Sequence, residues 1–490
     1  MSTGNSTYDS CAVIAQRGLD EFLALAVVPR PTHHRDKINA HVEAFARRHN
    51  FAFYKDDYGN VWFDVPAAPG FENYPKVLMQ GHTDMVCVST SDYDIDFTKE
   101  PIKPIVTETT VSADRTSLGA DNGIGLGLMF AIATSNCKHG PLRVLCTSDE
   151  EVALEGAAAL DPAALDSDFL LNLDCEHCGD VYCSSAGFVD YAVSKEFAQD
   201  SLSDNETLCE LAVRDLKGGH SGEDIAKNRL SAIIALHRML NDLVAAGVQV
   251  RFSFIDAGVA HNVIAATGMV RFAVDTDKMD LAKETIAKSV AALAKEYPQE
   301  SINWSFNAAQ GEKQALSASD SALILKLAGS YHQGVIEMHP VIEGLPRTSN
   351  NLGVEKLQDG RYELIIRLRS CVAEVLAQTA PQSQKIAADQ SFAFTLRGFG
   401  PAWDGSPDDS VVAMSMRAFK EVTDIPCRIS AMHGAVECAS FMDKRPTMKI
   451  VSLGTDLDNI HSTSETLHIA SVKELTAVVL FILEHANELG

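Results

Sequence analysis

The chain has 490 residues, of which 46% are hydrophobic and 22% charged, proportions typical of a folded globular protein. This length exceeds what one hydrophobic core usually organises, so we expect two domains. The formal net charge of −25 opposes binding to a nucleic acid or an anionic membrane, since either would need a basic surface. Neither is therefore an expected partner.

The sequence carries no recognisable signal for export or for membrane insertion. The N-terminal residues lack a basic region followed by an apolar one, and the apolar run 475–483 is about half the length that crosses a bilayer. We therefore expect a cytoplasmic protein whose eleven cysteines are reduced. Cys175 and Cys178 form a C-x-x-C pair, but no second pair accompanies them, so a redox or structural zinc role is not favoured.

The first part of the chain alternates predicted strands with a predicted helix. Residues 76–80, 142–147 and 169–173 are short apolar runs, each of which predicts a buried strand. Residues 121–135 combine a glycine-rich turn with an aliphatic run and predict a buried helix. This alternation indicates an α/β sheet, and each of its strands ends at polar residues that could bind a metal.

The character of the sequence changes near residue 187. An apolar helical run at 230–248 precedes predicted strands at 250–255 and 269–274 and an amphipathic helix at 278–295, which together indicate an α+β module. A segment of alternating pattern at 363–368 extends this module, and a glycine-rich turn punctuates its end. We predict that residues 1–186 and 395–490 form one domain and residues 187–394 the other.

Three acidic or imidazole side chains stand where a metal site could form. His82 and Asp84 lie two residues apart on an extended segment, so they project to the same side. One can bind a catalytic zinc ion while the other orients that ligand. Asp121 opens the predicted buried helix, either as its N-cap or as a ligand that gives one oxygen to each of two cations.

Further candidates follow two other predicted strands. Glu150 and Glu151 are neighbours, and in an extended chain they point to opposite faces, so one can bind metal while the other moves protons. The alternative is an acidic surface loop. Asp174 ends the strand at 169–173, and His461 supplies an imidazole far away in the sequence.

Together these residues stand in segments that resemble a known family. In chain order the matching segments are PRPTHH, MQGHTDMVC, SLGADNGIGLG, TSDEE, NLDCE, KGGHSGEDI, HGAVEC and HSTSETLHI. They resemble the aminoacyl-histidine dipeptidases, or cytosolic non-specific dipeptidases, among the co-catalytic zinc exopeptidases and deacylases. The resemblance implies a zinc-exopeptidase-like catalytic domain with a mixed central sheet flanked by helices, and an inserted α+β lid domain that forms a homodimer.

The resemblance also implies roles for the candidate residues. It implies that His82 and Asp174 bind one zinc ion, that Glu151 and His461 bind the other, and that Asp121 bridges the two. Asp84 would hold His82 in place. Glu150 would take the proton of a zinc-bridged water that attacks the scissile carbonyl, and would then protonate the leaving amine.

Four further residues are implied in substrate binding, of which Gly434 lies in the predicted first domain and the other three in the second. His220 matches a lid histidine that reaches the transition-state oxyanion, the alternative being an ordinary loop histidine. Asn262, Arg369 and Gly434 are candidates for holding the free carboxylate of a dipeptide. The segment His261–Ala265 departs from the Asn-Ala-Ile-Pro-Arg form of the family, and Arg369 could equally be a surface ion-pair partner.

The expected function is hydrolysis of small peptides, preferentially Xaa-His dipeptides such as carnosine, with two Zn²⁺ ions per chain. Mn²⁺ or Co²⁺ could replace zinc, since they accept the same ligands. One alternative is a related deacylase that acts on N-acyl amino acids. Another is a catalytically silent metal-binding scaffold, which the presence of Glu150 beside every expected ligand opposes.

Overall fold

The structure is a computed structural model that describes residues 9–311 and 313–490. The chain divides into two compact units. The first unit comprises the chain as far as Ser184 together with Trp403–Ala431 and Val436–Gly490. The second unit comprises Ser185–Ala402 and Met432–Ala435.

The N-terminal segment supplies most of the first unit. Its helices are α1 (Cys11–Ala26), α2 (Asp36–Arg48), α3 (Ala120–Thr134) and α4 (Glu155–Ala159), with a 3₁₀ turn at Pro162–Leu165. Its strands are β1 (Ala52–Lys55), β2 (Val61–Val65), β3 (Val77–His82), β4 (Pro104–Val106), β5 (Thr110–Ala113), β6 (Leu142–Thr147), β7 (Phe169–Cys175) and β8 (Asp180–Ser185).

The inserted segment forms the second unit. Its strands are β9 (Gly187–Glu196), β10 (Asp200–Ser201), β11 (Glu206–Arg214), β12 (Gly219–His220), β13 (Arg251–Ala257), β14 (Val263–Ile264), β15 (Gly268–Asp275), β16 (Asn303–Ala308), β17 (Gln314–Ala315), β18 (Gly334–Met338), β19 (Pro346–Gln358), β20 (Arg361–Ser370) and β21 (Ala393–Gly400). Its helices are α5 (Ala232–Ala245), α6 (Met279–Glu296), α7 (Ala318–Ala328) and α8 (Ala373–Asp389), with 3₁₀ turns at Ile225–Lys227 and Thr276–Lys278.

The C-terminal segment returns to the first unit. Its strands are β22 (Arg428–Met432), β23 (Lys449–Gly454), β24 (Leu457–Asp458) and β25 (Thr466–His468). Its helices are α9 (Ser410–Val422), α10 (Glu437–Lys444) and α11 (Ile469–Glu484), with a 3₁₀ turn at Ala486–Glu488.

A mixed eight-stranded sheet organises the first unit, in the order β1-β2-β6-β3-β7-β23-β8-β22. Strand β3 pairs in parallel with β6 and with β7, and β7 pairs in parallel with β23, whereas β2 is antiparallel to β1 and β6, and β8 is antiparallel to β23. Every residue of β3 and β6 is buried. Most of their side chains are apolar because helices cover both faces of a parallel sheet.

The second unit is built on a nine-stranded antiparallel sheet, with the path β16-β11-β15-β13-β19-β20-β9-β21 and with β18 beside β19. On β20, Tyr362, Leu364 and Ile366 alternate with less buried residues and join one core with apolar side chains of α5 to α8. This period of two places one face of the sheet against helices, as an α+β module requires.

The predicted fold class is confirmed: a mixed α/β sheet with flanking helices carries an inserted α+β unit. The predicted return at residue 395 was misplaced, since it falls inside β21, which pairs along β9 of the second unit. Met432–Ala435 also belongs to the second unit, although the prediction assigned this segment to the first. Within the described residues, no helix is both long and apolar enough to cross a membrane.

Candidate active site

The candidate metal-binding residues collect at one edge of the eight-stranded sheet. His82 is the last residue of β3, and Asp174 is the last but one of β7. Because β3, β6 and β7 are parallel, their carboxyl ends meet at the same edge, where ligands bind in open α/β sheets. Glu150 and Glu151 follow β6 at this edge. The sheet therefore brings together residues that are up to 92 positions apart, as His82 and Asp174 are.

Two trios of side chains share Asp121. In the first trio, His82 Nε2 lies 2.9 Å from Asp121 Oδ1 and 3.4 Å from Asp174 Oδ1. In the second, His461 Nε2 lies 3.1 Å from Asp121 Oδ2 and 3.0 Å from Glu151 Oε2. Each oxygen of Asp121 thus faces a different histidine. The arrangement is that of a carboxylate able to bridge two cations.

The geometry and chemistry of these side chains fit two divalent cations. Ligand atoms about 2.0–2.2 Å from a tetrahedral zinc ion lie about 3.3–3.6 Å apart, close to the separations within the two trios. Within the described residues, the buried Glu151 Oε1 has no hydrogen-bond partner. Burial, followed by the charges of Asp121 and Glu151, raises the pKa of Asp174 to about 7 despite the neighbouring His82. A pair of cations would offset this crowding of negative charge.

The turn before α3 presents Asp121 through close backbone packing. Gly119, with φ of 68°, precedes this turn, and Asp121 (φ −78°, ψ 110°) and Asn122 (φ −102°, ψ 30°) have non-helical backbone, so the regular part of α3 begins after them. Asn122 Nδ2 donates to the carbonyl of Leu173 on β7, at 2.6 Å. A Cβ on Gly81 would lie 2.1 Å from Asn122 Oδ1. Gly81 therefore allows the start of α3 to lie directly against the strand that ends at His82.

Asp84 contacts His82, as expected, and also several other groups. Its Oδ1 lies 3.5 Å from His82 Nδ1, and that ring nitrogen also lies 3.1 Å from the main-chain oxygen of Asp84. The carboxylate accepts hydrogen bonds from the backbone N–H groups of Glu150, at 2.9 Å, and Glu151, at 3.3 Å, and from the Thr32 hydroxyl, at 2.8 Å. Asp84 therefore connects the β3 end to the turn that carries both glutamates.

Glu150 and Glu151 do not lie on extended chain, so the prediction of opposite strand faces had the wrong basis. Strand β6 ends at Thr147, and Asp149 has a left-handed φ of 55°. Glu150 nevertheless joins a cluster with His82 and Glu151. Its pKa is raised well above the usual range by burial and, against the effect of His82, by the nearby charges of Asp174 and Glu437. A carboxyl group in these surroundings is suited to hold and release a proton.

A buried polar layer lies beneath the candidate ligands, and the sequence reasoning missed it. Gln80 Nε2 donates to Glu437 Oε2 at 2.6 Å and to Thr147 Oγ1 at 3.0 Å, while its Oε1 accepts from Asn172 Nδ2 at 2.7 Å. Gln80 and Asn172 stand two residues before His82 and Asp174, so each lies on the same strand face as its ligand. The sequence did contain a signal for this layer, since each of these polar residues stands two positions before a candidate ligand in a mostly apolar strand.

The second unit brings its predicted residues together in one cluster. Arg369 Nε donates to Ser221 Oγ at 3.2 Å, and its Nη2 lies 3.4 Å from His220 Nε2. The backbone N–H of Ser221 donates to the carbonyl of Asn262 at 2.9 Å, beside the pairing of His220 with Val263. Arg369 is therefore a buried residue of this cluster, and the alternative of a surface ion-pair partner is wrong.

Arg369 is a buried cation suited to an anionic ligand. Its side chain belongs to a residue that is 3% exposed, and among the described residues no carboxylate forms an ion pair with it. Burial, followed by the charge of Arg367, lowers the pKa of Arg369 to about 10, so its guanidinium remains charged at neutral pH. A buried charge without a counterion is costly, and a carboxylate bound bidentately would offset that cost.

Gly434 joins the same unit through its neighbour. His433 Nε2 lies 2.7 Å from Ser349 Oγ, and a Cβ on Gly222 would lie 2.6 Å from the carbonyl of His433. Burial, followed by the charge of Arg369, lowers the pKa of His433 to about 3, so the ring is neutral at physiological pH. The segment around Gly434 thus lies against the loop that carries His220.

Cys175 and Cys178 lie outside both metal trios. Cys175 is buried, with its Sγ 3.2 Å from Ser452 Oγ. Burial raises the pKa of the Cys175 thiol well above its usual range and that of Cys178 to about 12. Both thiols are protonated at neutral pH, which disfavours metal binding and redox chemistry at this pair.

Comparisons with known proteins agree on one family. The model of peptidase family M20/M25/M40 matches residues 78–485. The cytosol non-specific dipeptidase of Escherichia coli (strain K12) is 30% identical over 459 residues, covering 92% of this chain and 94% of the relative. The crystal structure of aminoacylhistidine dipeptidase from Vibrio alginolyticus has a TM-score of 0.91 at 29% identity, covering 97% and 98% of the two chains. A tripeptidase from Staphylococcus aureus, with a TM-score of 0.53 and 15% identity over 96% and 98% of the chains, shares the fold alone.

Proposed function

Because this chain belongs to peptidase family M20/M25/M40, it is a peptidase, and we propose that it hydrolyses dipeptides, preferentially Xaa-His, in a metal-dependent reaction. The observation that carries this proposal is the pair of ligand trios that share Asp121. The names of the Escherichia coli and Vibrio alginolyticus relatives supply the substrate class.

The proposed ligands of one cation are His82 and Asp174, those of the other are Glu151 and His461, and Asp121 binds both. The mixed nitrogen and oxygen donors favour zinc, with manganese or cobalt as substitutes. Two such cations, when bound, polarise the scissile carbonyl and make a water molecule a stronger nucleophile.

Glu150 is the proposed proton carrier. Its carboxylate takes a proton from the attacking water and then protonates the leaving amine, so no covalent bond to the enzyme is formed. Its backbone N–H is held by Asp84 Oδ1 at 2.9 Å, which limits the positions that the glutamate can adopt. In this proposal Asp84 orients both His82 and the turn that carries Glu150 and Glu151.

The cluster of the second unit is proposed to recognise the dipeptide. Arg369, with Asn262 and Gly434, binds the free carboxylate, and the burial of the charged guanidinium supports this role. His220 donates to the oxyanion that develops in the transition state, and such a contact accelerates the reaction more than it tightens substrate binding. A dipeptide carries its free carboxylate one residue from the scissile bond and a longer peptide carries it further away, so recognition of this group would select dipeptides.

We also propose a cytoplasmic homodimer formed through the second unit. The Escherichia coli relative is a cytosol enzyme by its name. At the edge of the nine-stranded sheet, β21 leaves Leu396 51% and Phe399 55% exposed, an apolar surface that supports a subunit contact. Light scattering of the wild type and of a Phe399→Glu variant tests this assignment: a monomer in both would contradict it.

A substrate panel tests the proposed function. Purified protein with restored zinc is assayed on carnosine, on other dipeptides, on tripeptides and on N-acyl amino acids. We expect turnover of dipeptides, with Xaa-His the best, and at least tenfold lower kcat/KM for tripeptides. Preference for N-acyl amino acids would instead establish the deacylase alternative, and no turnover of any amide would favour a silent scaffold.

The matched control for this panel is Glu150→Gln. The amide cannot accept the proton, so kcat should fall about 10²- to 10⁴-fold, the usual contribution of a general base. The metal content should stay at the wild-type value, because Glu150 is not a proposed ligand. Unchanged turnover in this variant would contradict the role of Glu150.

A further inference from the structure

The turn that carries Asp121 is held by an unusual set of backbone contacts. The N–H groups of four successive residues, 118 to 121, all donate to the carboxylate of Glu465. Leu118 and Gly119 donate to Oε2 at 2.7 and 2.9 Å, and Ala120 and Asp121 donate to Oε1 at 2.8 and 3.4 Å. Glu465 is 3% exposed, so water does not compete for these bonds. Both carboxylate oxygens of Glu465 therefore accept hydrogen bonds from the turn.

The opposite side of the same turn is held by a buried cation. Arg30 is 1% exposed, and its Nη2 donates to the carbonyl of Gly119. Its Nη1 donates to the carbonyls of Thr83, at 3.0 Å, and Asp84, at 2.9 Å, directly after the β3 end. The N–H of Gly119 therefore donates to the Glu465 carboxylate, and its carbonyl accepts from the Arg30 guanidinium.

These two residues connect three of the five chain segments that supply the candidate ligands. Arg30 joins the segment after His82 to the turn of Asp121. Glu465 stands four residues after His461 and joins that loop to the same turn. No ring or carboxylate of a candidate ligand takes part, so both residues act through backbone groups alone. The charges oppose each other across the turn, which reduces the cost of burying either one.

We propose that Arg30 and Glu465 are positioning residues that fix the separation of the two metal positions, an inference that rests on the proposed dinuclear site. Asp121 binds both cations only if its two oxygens stay between His82 and His461. Contacts on both sides of the turn determine that placement. Without these contacts the turn is less constrained, and Asp121 would no longer be held in line with both histidines.

The variant that tests this proposal is Glu465→Gln. A glutamine can accept at only one of its two terminal atoms, so its amide group would face two backbone N–H donors. Residues that orient metal ligands typically change metal affinity by 10- to 100-fold when they are replaced. We expect zinc to bind the variant about 10- to 100-fold more weakly at the second equivalent, and kcat to recover when zinc is added in excess while KM stays unchanged.

A second variant tests the contacts that Arg30 makes with the turn. Arg30→Lys keeps the positive charge, but a single ammonium group cannot reach three carbonyls in the positions that the guanidinium fork occupies. It should show the same selective loss of one zinc equivalent. If Glu465→Gln does not fold, Arg30→Lys alone decides the outcome.

The measurement is zinc titration against a competing chelator, followed by elemental analysis and by thermal unfolding of the metal-free proteins. Glu300→Gln is the matched control, because Glu300 is also buried and its Oε2 accepts a backbone N–H, that of Lys217, at 2.9 Å in the other unit. Wild-type zinc affinity in the Glu465 and Arg30 variants would overturn the proposal, even with a lower unfolding temperature. A wild type that binds fewer than two zinc ions would instead overturn the proposed dinuclear site.

Discussion

Replacement of Asp84 by asparagine should lower both the stability of the first unit and the rate of hydrolysis. The carboxylate accepts three hydrogen bonds, from the Thr32 hydroxyl and the backbone N–H groups of Glu150 and Glu151. An asparagine whose oxygen takes the place of Oδ2 keeps two of them, but its amide then faces the N–H of Glu150. Asp84 is 4% exposed, so water cannot replace the lost acceptor.

The size of this effect follows from those contacts. A hydrogen bond to a charged group contributes about 1.5–3 kcal/mol, and a buried donor left without an acceptor costs roughly 1–3 kcal/mol. We therefore expect the metal-free Asp84→Asn protein to lose about 2–5 kcal/mol of stability in the first unit. With saturating zinc, kcat/KM should still fall about 10- to 100-fold, because Asp84 no longer holds His82 and the turn of Glu150 and Glu151 in place.

Hydrogen exchange at the amides of Glu150 and Glu151 gives the most specific assay, with denaturant unfolding as the second. Both amides should exchange faster in the variant than in the wild type. The matched control is Asp180→Asn, since Asp180 is also a buried aspartate of the first unit but pairs with the exposed Arg428. Wild-type exchange at both amides with an unchanged unfolding midpoint in Asp84→Asn would refute this account of Asp84.

Four further outcomes are expected. Arg369→Lys should raise KM for dipeptides about 10- to 100-fold with a smaller change in kcat, because one ammonium cannot replace a bidentate guanidinium; equal KM values in steady-state kinetics would contradict this. Bound zinc, followed by elemental analysis after dialysis, should be lost as the pH falls, since hydrogen bonds to Asp121 and Glu151 raise the pKa of His461 to about 10, the charge of Asp174 raises that of His82 above its usual range despite burial, and protons therefore compete with the metal for both rings. Glu437→Gln should unfold close to the wild type, because its pKa is raised to about 8 by burial and the charge of Asp174 and the carboxyl is therefore mostly neutral at pH 7. Glu437→Ala should lose roughly 1–3 kcal/mol, since the Gln80 amide and the Thr147 hydroxyl lose an acceptor; calorimetry that finds the two variants equal would contradict this.

Local pattern was sufficient to predict most elements near the site. The predicted strand at 142–147 coincides with Leu142–Thr147, and the predicted helix at 121–135 is Ala120–Thr134, shifted by one residue. Buried parallel strands and a buried helix are mostly apolar segments, so their approximate limits are visible where polar residues become frequent. The candidate metal ligands stood at those limits, which is why a sequence alone indicated them.

Features that depend on distant partners were not predictable in the same way. Glu437 accepts a hydrogen bond from Gln80, 357 residues away, and Glu465 accepts from Leu118, 347 residues away. No local period distinguishes such glutamates from acidic residues of a surface. The boundary at 395 was misplaced for a related reason: β21 is an edge strand, so its exposed side chains resemble those of a loop, and only its pairing with β9 identifies it.

The measurement that tests the central claim most directly is turnover of carnosine during stepwise addition of zinc to metal-free protein. The two trios that share Asp121 predict that activity is absent without metal and reaches its maximum at two equivalents per chain. Full activity in the metal-free protein, or a maximum at one equivalent that further zinc leaves unchanged, would contradict a dinuclear centre.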